Sequence, residues 1–304
     1  MSIEIVGPEV EPKLDWIALT EALEAGHRLP RAEVGDTFLR RGGDTLLTRS
    51  AWIDGMGIAV KAATIYPQNH KLGLPNLHGA VALFSDRDGV LEAYVDFALL
   101  TKWKTAADSL LAARRLARKD AETFLIIGAG TVAHSMVEAY SAAFPKARFH
   151  VWSRTPKSAK DFADTSGAVV EADLEAAVRK ADVIATATMS LEPIVRGAWL
   201  KPGTHLDLIG AYRPDMREAD DETFRRARVF VDARATTIHH IGELMAPLAS
   251  GAIAEADIIA DFYDIGSGAF ARRSDDEITV AKNGGGAHLD LMTARYVLGA
   301  ARTG

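Results

Sequence analysis

Cysteine is absent from the 304-residue chain. The absence excludes disulfide bonds, a catalytic thiolate, and zinc or iron–sulfur sites that cysteine would ligate. Also lacking is an uninterrupted apolar stretch of about 18 residues, the length typical of a transmembrane helix. The first residues, from Met1 to Ile5, do not show the basic and then apolar pattern of a secretory signal. We therefore expect a soluble, cytoplasmic protein.

An excess of positive charge is lacking as well, because the net charge at pH 7 is −6. Binding to nucleic acid or to acidic membranes requires concentrated lysine and arginine, so we expect neither partner. Metal ligands are not indicated among the 9 histidines, since His239 and His240 are adjacent and face different directions on a helix. We expect no metal site and a small-molecule substrate.

The composition that remains is that of an ordinary globular enzyme or binding protein, with 48% hydrophobic and 25% charged residues. A length of 304 residues exceeds the usual span of one compact core. The chain is therefore expected to form two domains.

A run of apolar residues from 123 to 127 breaks into glycines and then continues with a helical pattern. Such a run is typical of a strand buried on both faces, and Gly128 and Gly130 allow a sharp turn and close approach to a ligand. The positive end of the following helix favours a pyrophosphate, and Ala133 permits close packing of helix on strand. A purely structural turn is the alternative. The predicted cofactor-binding residues here are Gly128, Ala129, Gly130, Thr131 and Val132.

From this run onward, strands and helices alternate, which predicts a parallel doubly wound sheet. The predicted strands are Phe124–Ile127, Arg148–Trp152, Ala168–Val170, Val183–Ala187, His205–Ile209 and Val229–Val231. Ligands of such sheets bind at the carboxyl ends of the strands. On this basis the predicted cofactor site also includes Thr186, Ala187, Thr188 and Gly210.

The second predicted strand ends in Ser153, Arg154 and Thr155. Sites that prefer NAD usually carry an acidic residue here to hold the ribose 2′-hydroxyl, whereas an arginine with hydroxyl neighbours suits the 2′-phosphate of NADP. The alternative is a helix start with a solvated arginine, because Thr155-Pro156 also reads as a cap and first turn. We predict NADPH as the cofactor, with NADH as the second choice.

The N-terminal part predicts two β-hairpins. In the first, strands 45–53 and 58–65 flank a turn near Gly55, which places Arg49 almost opposite Lys61 on one face. Two adjacent cations repel unless an anion joins them, so the pair is a candidate clamp for a carboxylate; two solvated strand residues are the alternative. The second hairpin covers 79–84 and 90–96, and the polar loop between the hairpins contains Asn69, which we expect to line the site.

A helix is predicted from Thr101 to about Arg118, with Lys104 in its first turn. A cation is unfavourable there against the helix dipole, so Lys104 is expected to meet a negative ligand unless it extends into water. Further helices are predicted at 14–26 and 289–299. A strand at 277–282 breaks into a glycine-rich turn, and Lys282 and Gly284 are expected beside the nicotinamide.

The last helix is expected to pack on the N-terminal domain, which makes that domain discontinuous. We predict a substrate-binding and dimerisation domain of residues 1–118 plus 275–304, and a dinucleotide-binding domain of residues 119–274.

These segments together resemble the ornithine cyclodeaminase/mu-crystallin family over almost the whole chain. The motifs that carry the resemblance are Gly57-Ile-Ala-Val-Lys61-Ala, Pro67-Gln-Asn69, Gly79 to Gly89, Thr101-Lys-Trp-Lys-Thr-Ala-Ala107, the Gly128 turn, Ala181-Asp-Val-Ile-Ala-Thr-Ala-Thr188, Trp199-Leu-Lys-Pro-Gly203 and Thr279-Val-Ala-Lys-Asn-Gly284. The family implies an α/β fold in which a Rossmann doubly wound sheet accompanies an α+β substrate-binding and dimerisation domain. It further implies a homodimer that pairs through the N-terminal sheets, and a substrate held between the two domains.

The branch of the family can be argued from the segment after the strand at 205–209. Cyclodeaminases carry an aspartate there, whereas this chain has Tyr212 at that position, which tells against loss of ammonia. The motif that follows, Arg-Pro-Asp-x-Arg-Glu218, resembles that of the mu-crystallin and ketimine-reductase branch, which uses NADPH. Lys104 replaces a common arginine of the family.

The resemblance implies reduction of a cyclic imino acid in proline metabolism, either Δ1-pyrroline-2-carboxylate to L-proline or Δ1-piperideine-2-carboxylate to L-pipecolate. Lys61 would be the catalytic residue, and Arg49, Lys104 and Asn69 would bind substrate. Two alternatives stay open: an ornithine cyclodeaminase or alanine dehydrogenase-like enzyme that uses NAD, and a non-catalytic NADPH-binding protein.

Overall fold

The computed structural model describes residues 3–303, which form two compact units. The first unit contains the chain up to Lys104 and again from Gly285, and the second unit is Thr105–Gly284. These boundaries differ from the predicted breaks at 118 and 274. One reason is that the strand Ile278–Lys282 pairs within the sheet of the second unit, so residues 275–284 do not belong to the first.

The first unit is built on a six-stranded sheet and two helices. Its strands are β1 Glu4–Val6, β2 Glu33–Arg41, β3 Asp44–Ile53, β4 Gly57–Ile65, β5 Leu77–Phe84 and β6 Leu91–Asp96. They are ordered β1-β6-β5-β4-β3-β2, with only the β1–β6 pair parallel. Helix α1, Trp16–Gly26, contacts the C-terminal helix, Ala287–Arg302, which also contacts β3 and β4. The prediction that the last helix packs on the N-terminal domain is confirmed.

Both predicted hairpins form, and the register of the first is confirmed: Arg49 lies directly opposite Lys61. The β2 strand was not predicted. It pairs with β3 along the edge of the sheet, and all nine of its residues are exposed.

The predicted start of the helix that carries Lys104 was wrong. Helix α2 runs from Phe97 to Leu116, and the Asp96 carboxylate accepts a hydrogen bond from the Leu99 N–H at 2.7 Å, as an N-terminal cap does. Lys104 therefore lies in the third turn, where the argument from the helix dipole does not apply.

The second unit is an eight-stranded parallel sheet with helices between most strands. Its strands are β7 Thr123–Ile127, β8 Arg148–Trp152, β9 Val169–Val170, β10 Val183–Thr186, β11 His205–Leu208, β12 Ala227–Val231, β13 Ile258–Ala260 and β14 Ile278–Lys282. Its further helices are α3 Thr131–Ala143, α4 Pro156–Ser166, α5 Leu174–Lys180, α6 Asp221–Arg226, α7 Arg234–Thr237 and α8 Gly242–Ala249, and the C-terminal helix becomes α9. The predicted parallel doubly wound sheet is confirmed.

The order of this sheet is β13-β12-β14-β11-β10-β7-β8-β9. The chain runs outward from β7 through β8 and β9, then returns to pair β10 on the other side of β7. Such a reversal is a topological switch point, where a crevice opens at the carboxyl ends of the strands. Among the described residues, no helix combines the length and apolar character that crossing a membrane requires.

Candidate functional site

The carboxyl ends of four neighbouring strands lie level with one another in the second unit. Across the sheet, Ile127 pairs with Thr186, Thr186 with Leu208, and Leu208 with Lys282. The residues that follow these strand ends therefore lie at one edge of the sheet, beside the switch point. This row brings together the predicted cofactor residues Gly128, Thr186, Ala187, Thr188, Gly210 and Lys282.

The turn after β7 requires a glycine at its first position. Gly128 has a φ of +113°, and a Cβ atom there would lie 2.6 Å from the Ala187 carbonyl oxygen. Gly130 is the N-cap of α3 and has no side chain to satisfy the first helical N–H groups. Those N–H groups lack intrahelical acceptors, so Gly128 to Val132 fit the pyrophosphate of a dinucleotide.

Ser153, Arg154 and Thr155 follow β8 directly, as predicted. Arg154 is exposed, and within residues 3–303 its side chain makes no hydrogen bond or ion pair. Thr155 is the N-cap of α4, but its hydroxyl makes no capping hydrogen bond. The Thr155 side chain therefore does not cap the helix, which was the alternative to cofactor binding.

Glu218 joins two of the strand ends and was missed as a functional residue. One of its carboxylate oxygens accepts from the Thr188 N–H at 2.8 Å and from the Thr188 hydroxyl at 2.6 Å. The other accepts from the N–H groups of Gly210 at 2.8 Å and Ala211 at 3.1 Å. Glu218 is fully buried. A Cβ atom at residue 210 would collide with the Thr188 backbone, so this approach also requires glycine.

Lys282 donates hydrogen bonds to the backbone at the end of β11 and just after it. Its ammonium is fully buried and donates to the carbonyl oxygens of Leu208 and Ala211, both at 2.7 Å. Burial lowers the pKa of Lys282, and the carboxylates of Glu243 and Glu218 oppose this shift. The ammonium thus holds the backbone that follows β11, and the role of Lys282 beside the cofactor stays a prediction. Gly284, two residues further on, lies against Thr237 of α7.

A second carboxylate, Glu243, lies behind Glu218. Its oxygens accept from the backbone N–H groups of Glu218 at 2.8 Å and Ala219 at 2.9 Å. Burial, and then the neighbouring Glu218 carboxylate, raise the pKa of Glu243 from 4.5 to about 7, against the opposing effect of Lys282. The end of β11 is thus held by three buried ionisable side chains.

In the first unit, a cationic cluster forms around the Arg49–Lys61 pair. Arg49 donates through Nε and Nη2 to the Asp36 carboxylate, at 2.7 Å for the shortest bond, and through Nη1 to the Gly285 carbonyl at 2.9 Å. Lys104 also donates to the Gly285 carbonyl, at 2.9 Å. The structure therefore brings together Arg49, Lys61 and Lys104, although Lys104 does so from within a helix rather than at its start.

Lys61 makes a buried ion pair with Asp290 of α9, at 3.0 Å between Nζ and Oδ1. The Thr101 hydroxyl lies 3.3 Å from Nζ, and the Phe97 ring centroid lies 5.0 Å from it. Burial alone would raise the pKa of Asp290, but Lys61, Lys104 and Arg49 together hold it below its usual value. The sequence did not indicate Asp290 as a site residue.

The cluster gathers three cations around a buried carboxylate. Arg49, Lys61 and Lys104 lie with Asp290, and Asp36 pairs with Arg49. The Oδ2 atom of Asp290 is buried and has no hydrogen-bond partner within residues 3–303. A ligand that carries both a carboxylate and a hydrogen-bond donor would complement the three cations and this oxygen atom.

Asn69 is the one predicted substrate residue that the structure does not connect to this cluster. Its side-chain amide donates to the Pro75 carbonyl at 3.0 Å, which closes the loop between the hairpins. Among the described residues, no hydrogen bond joins Asn69 to Arg49, Lys61 or Lys104.

Tyr212, the residue on which the predicted branch of the family depends, is 58% exposed. The next residue, Arg213, forms an ion pair with Asp215, at 2.8 Å between Nε and Oδ1. No group of three or more histidine, aspartate and glutamate side chains with the spacing of a metal site occurs within residues 3–303.

Comparisons with known proteins agree on one family. The model of the ornithine cyclodeaminase/mu-crystallin family matches residues 49–304. A Δ(1)-pyrroline-2-carboxylate reductase of Paracoccus denitrificans is 50% identical over 292 residues, which covers 94% of this chain and 92% of that protein. The ketimine reductase mu-crystallin of Mus musculus is 35% identical over 242 residues, which covers 79% of this chain and 75% of that protein.

Among solved structures, the Thermococcus litoralis Δ(1)-pyrroline-2-carboxylate reductase in complex with NADH and L-proline has a TM-score of 0.89 to this chain. The two are 28% identical in sequence, and the match covers 98% of this chain and 97% of that one. The likeness extends over both units of the fold.

Proposed function

Because the chain belongs to the ornithine cyclodeaminase/mu-crystallin family, we propose that it reduces a cyclic imino acid with a reduced nicotinamide cofactor. The substrate is Δ1-pyrroline-2-carboxylate, which gives L-proline, or its six-membered homologue, which gives L-pipecolate. The observation that carries the proposal is the Arg49–Lys61–Lys104 cluster with its buried Asp290. Its three cationic side chains suit the substrate carboxylate, and the paired Lys61 and Asp290 suit proton transfer to the imine nitrogen.

The bound cofactor supplies a hydride to the imine carbon. Arg49 and Lys104 hold the carboxylate, and Lys104 does so as a point charge rather than as a bidentate fork. Lys61 holds a proton on Nζ and passes it to the imine nitrogen when the imine arrives neutral; an imine that is already protonated requires only positioning. Asp290 accepts a hydrogen bond from the Lys61 ammonium and holds it in position.

We assign each group of predicted cofactor residues to one part of the dinucleotide. Gly128 to Val132 would hold the pyrophosphate, and Ser153, Arg154 and Thr155 would hold the ribose with its 2′-phosphate. Thr186, Ala187, Thr188 and Gly210 would line the strand ends, while Lys282 and Gly284 would shape that segment from behind. The fit rests on the positive φ of Gly128 and on the exposed guanidinium of Arg154.

The proposal is tested by mixing the purified protein with Δ1-pyrroline-2-carboxylate or Δ1-piperideine-2-carboxylate and either NADPH or NADH, and following the absorbance of the reduced nicotinamide. Rapid loss with one of the imines supports the reductase. Ammonia release from ornithine with NAD would replace it by a cyclodeaminase. Binding of NADPH without turnover of any imine would indicate a binding protein.

NADPH is proposed as the preferred cofactor because Arg154 presents an exposed guanidinium after β8. Arg154→Ala is expected to weaken NADPH binding by about tenfold, the effect of losing one charge-assisted contact, and to leave NADH binding within about twofold. Titration of cofactor fluorescence measures both constants. Lys157→Ala, which removes an exposed cation from the adjacent α4, is the matched control. Equal losses for the two cofactors would contradict the role of Arg154.

The protein is also proposed to be a homodimer that pairs through the sheet of the first unit. The edge strand β2 exposes large apolar side chains, with Phe38 48% and Leu39 61% exposed, and Leu77 of β5 is 43% exposed. The strand also carries the charged residues Glu33, Asp36, Arg40 and Arg41. Its backbone edge is nevertheless unpaired and its large apolar side chains are exposed, both of which favour association. Phe38 and Leu39 are consecutive and therefore lie on opposite faces of the strand, so a second copy of the chain that packs along this edge would cover both.

Replacing Phe38 and Leu39 together by glutamate is expected to raise the dimer dissociation constant by about 100-fold or more, because the charges would be buried at the interface. Sedimentation equilibrium measures the mass at several concentrations. Val170→Glu, at a 43% exposed position on the edge strand β9, is the control and should leave the mass unchanged. A native protein that sediments as a monomer would refute the dimer.

A further inference from the structure

Three ionisable side chains, Glu218, Glu243 and Lys282, are completely buried behind the strand ends of the second unit. Burying charges is unfavourable unless each is paired and hydrogen-bonded, and well-packed apolar residues often stabilise a core as well or better. Core stability alone therefore gives little reason for this group.

The hydrogen bonds of the group all converge on one short piece of backbone. Glu218 accepts four hydrogen bonds from Thr188, Gly210 and Ala211. Lys282 donates to the Ala211 carbonyl from the other side. Glu243 fixes the backbone N–H of Glu218 itself. The ends of β10 and β11 are thus tied together by one carboxylate that is in turn held in place.

From this arrangement we infer that Glu218 is a positioning residue for the nicotinamide cofactor: it holds Thr188 and Gly210 at the spacing that the cofactor site requires. The inference rests on the cofactor use of the proposed function, although not on the imine. Both Glu218 oxygens act only as acceptors, so the ionised carboxylate is the form that this geometry needs.

Glu218→Gln separates charge from size. The amide –NH₂ would face either Thr188 or the N–H groups of Gly210 and Ala211. Facing Thr188, it leaves the Thr188 N–H without an acceptor, although the hydroxyl can turn to accept; facing the other strand end, it leaves both N–H groups without one. We expect the dissociation constants of NADPH and NADH to rise by about tenfold or more, the effect expected when donors at the site lose their acceptor. Fluorescence titration without imine measures this, so the result is independent of which substrate the enzyme reduces.

Asp182→Asn is the matched control, because it weakens a similar clamp at the opposite ends of the strands. The Asp182 carboxylate accepts from the backbone N–H groups of Glu122 at 3.1 Å and Thr123 at 2.9 Å, at the start of β7. This variant should lower the thermal midpoint comparably to Glu218→Gln but leave cofactor affinity within about twofold. Equal cofactor affinity in both variants would overturn the inference and leave Glu218 a purely structural residue.

Glu218→Asp provides the second variant if Glu218→Gln does not fold. It keeps the charge but withdraws the carboxylate by one methylene, so it should recover part of the affinity that the glutamine variant loses. Relative to the native protein, we expect both cofactors to bind severalfold more weakly, because the shorter side chain weakens the hydrogen bonds to the strand ends without removing them. Native affinity in Glu218→Asp would contradict the positioning role, since the strand ends would then not depend on the reach of this side chain.

Discussion

Lys61→Met is expected to lower kcat/KM for imine reduction by about 10³-fold while leaving the dissociation constant of NADPH within about twofold. A positioned acid or base typically contributes 10² to 10⁴ in rate, and methionine retains the lysine stem up to the ε position without the ammonium. Steady-state kinetics with the preferred imine and a separate fluorescence titration of NADPH measure the two quantities.

The variant needs a control for folding, because Lys61 is also the partner of a buried carboxylate. Removing one member of a buried ion pair costs about 3–5 kcal/mol, and in Lys61→Met the nearest remaining cation is Lys104, whose Nζ lies 3.9 Å from Asp290. The double variant Lys61→Met, Asp290→Asn removes the unpaired charge. It should regain much of the thermal stability and none of the turnover, whereas turnover within tenfold of the native enzyme would exclude a chemical role for Lys61.

The parallel sheet could be predicted because its strands are buried on both faces and therefore appear as short apolar runs. Phe124 to Ile127, for example, are each at most 1% exposed. The register of the first hairpin could be predicted for a different reason: a short turn determines which residues of the two strands lie opposite each other, and this placed Arg49 across from Lys61.

The β2 strand could not be predicted, since both of its faces are exposed and its sequence lacks the alternation of a half-buried strand. The start of α2 was misplaced because Asp96 ends β6 and caps the helix at the same time, so no loop separates the two elements. Such a cap is recognised from its hydrogen bond rather than from its residue type.

The two acidic residues of the candidate site were missed because their environments depend on distant parts of the chain. Asp290 meets Lys61 across 229 residues of sequence, and Glu218 meets Thr188 across 30. From sequence, an aspartate in the first turn of a helix reads as a favourable surface residue, and a glutamate after an arginine reads as part of a solvated loop. Only the tertiary structure shows that both are buried and bonded.

Glu243 is expected to make stability depend on pH in an unusual direction. Its pKa is about 7 in the folded protein, where burial and Glu218 raise it, and 4.5 when unperturbed. Between these values the folded state retains a proton that the unfolded state has released, so the free energy of unfolding falls as pH rises. A difference of about 2.5 pKa units corresponds to about 3 kcal/mol, fully present below pH 4.5 and lost above pH 7.

The contribution of Glu243 must be isolated from groups of the opposite sign. Burial holds the pKa of His288 well below its ordinary value, so His288 makes the folded state less stable as the solution becomes acidic. Denaturant unfolding of the native protein and of Glu243→Gln across pH 5 to 8 provides the difference. Relative to the variant, the native protein should lose up to about 3 kcal/mol over this range, and the exposed control Glu192→Gln should behave as the native protein does. A difference that does not change with pH would mean that Glu243 is already ionised at pH 5, and that Lys282 outweighs the burial and the Glu218 carboxylate that raise its pKa.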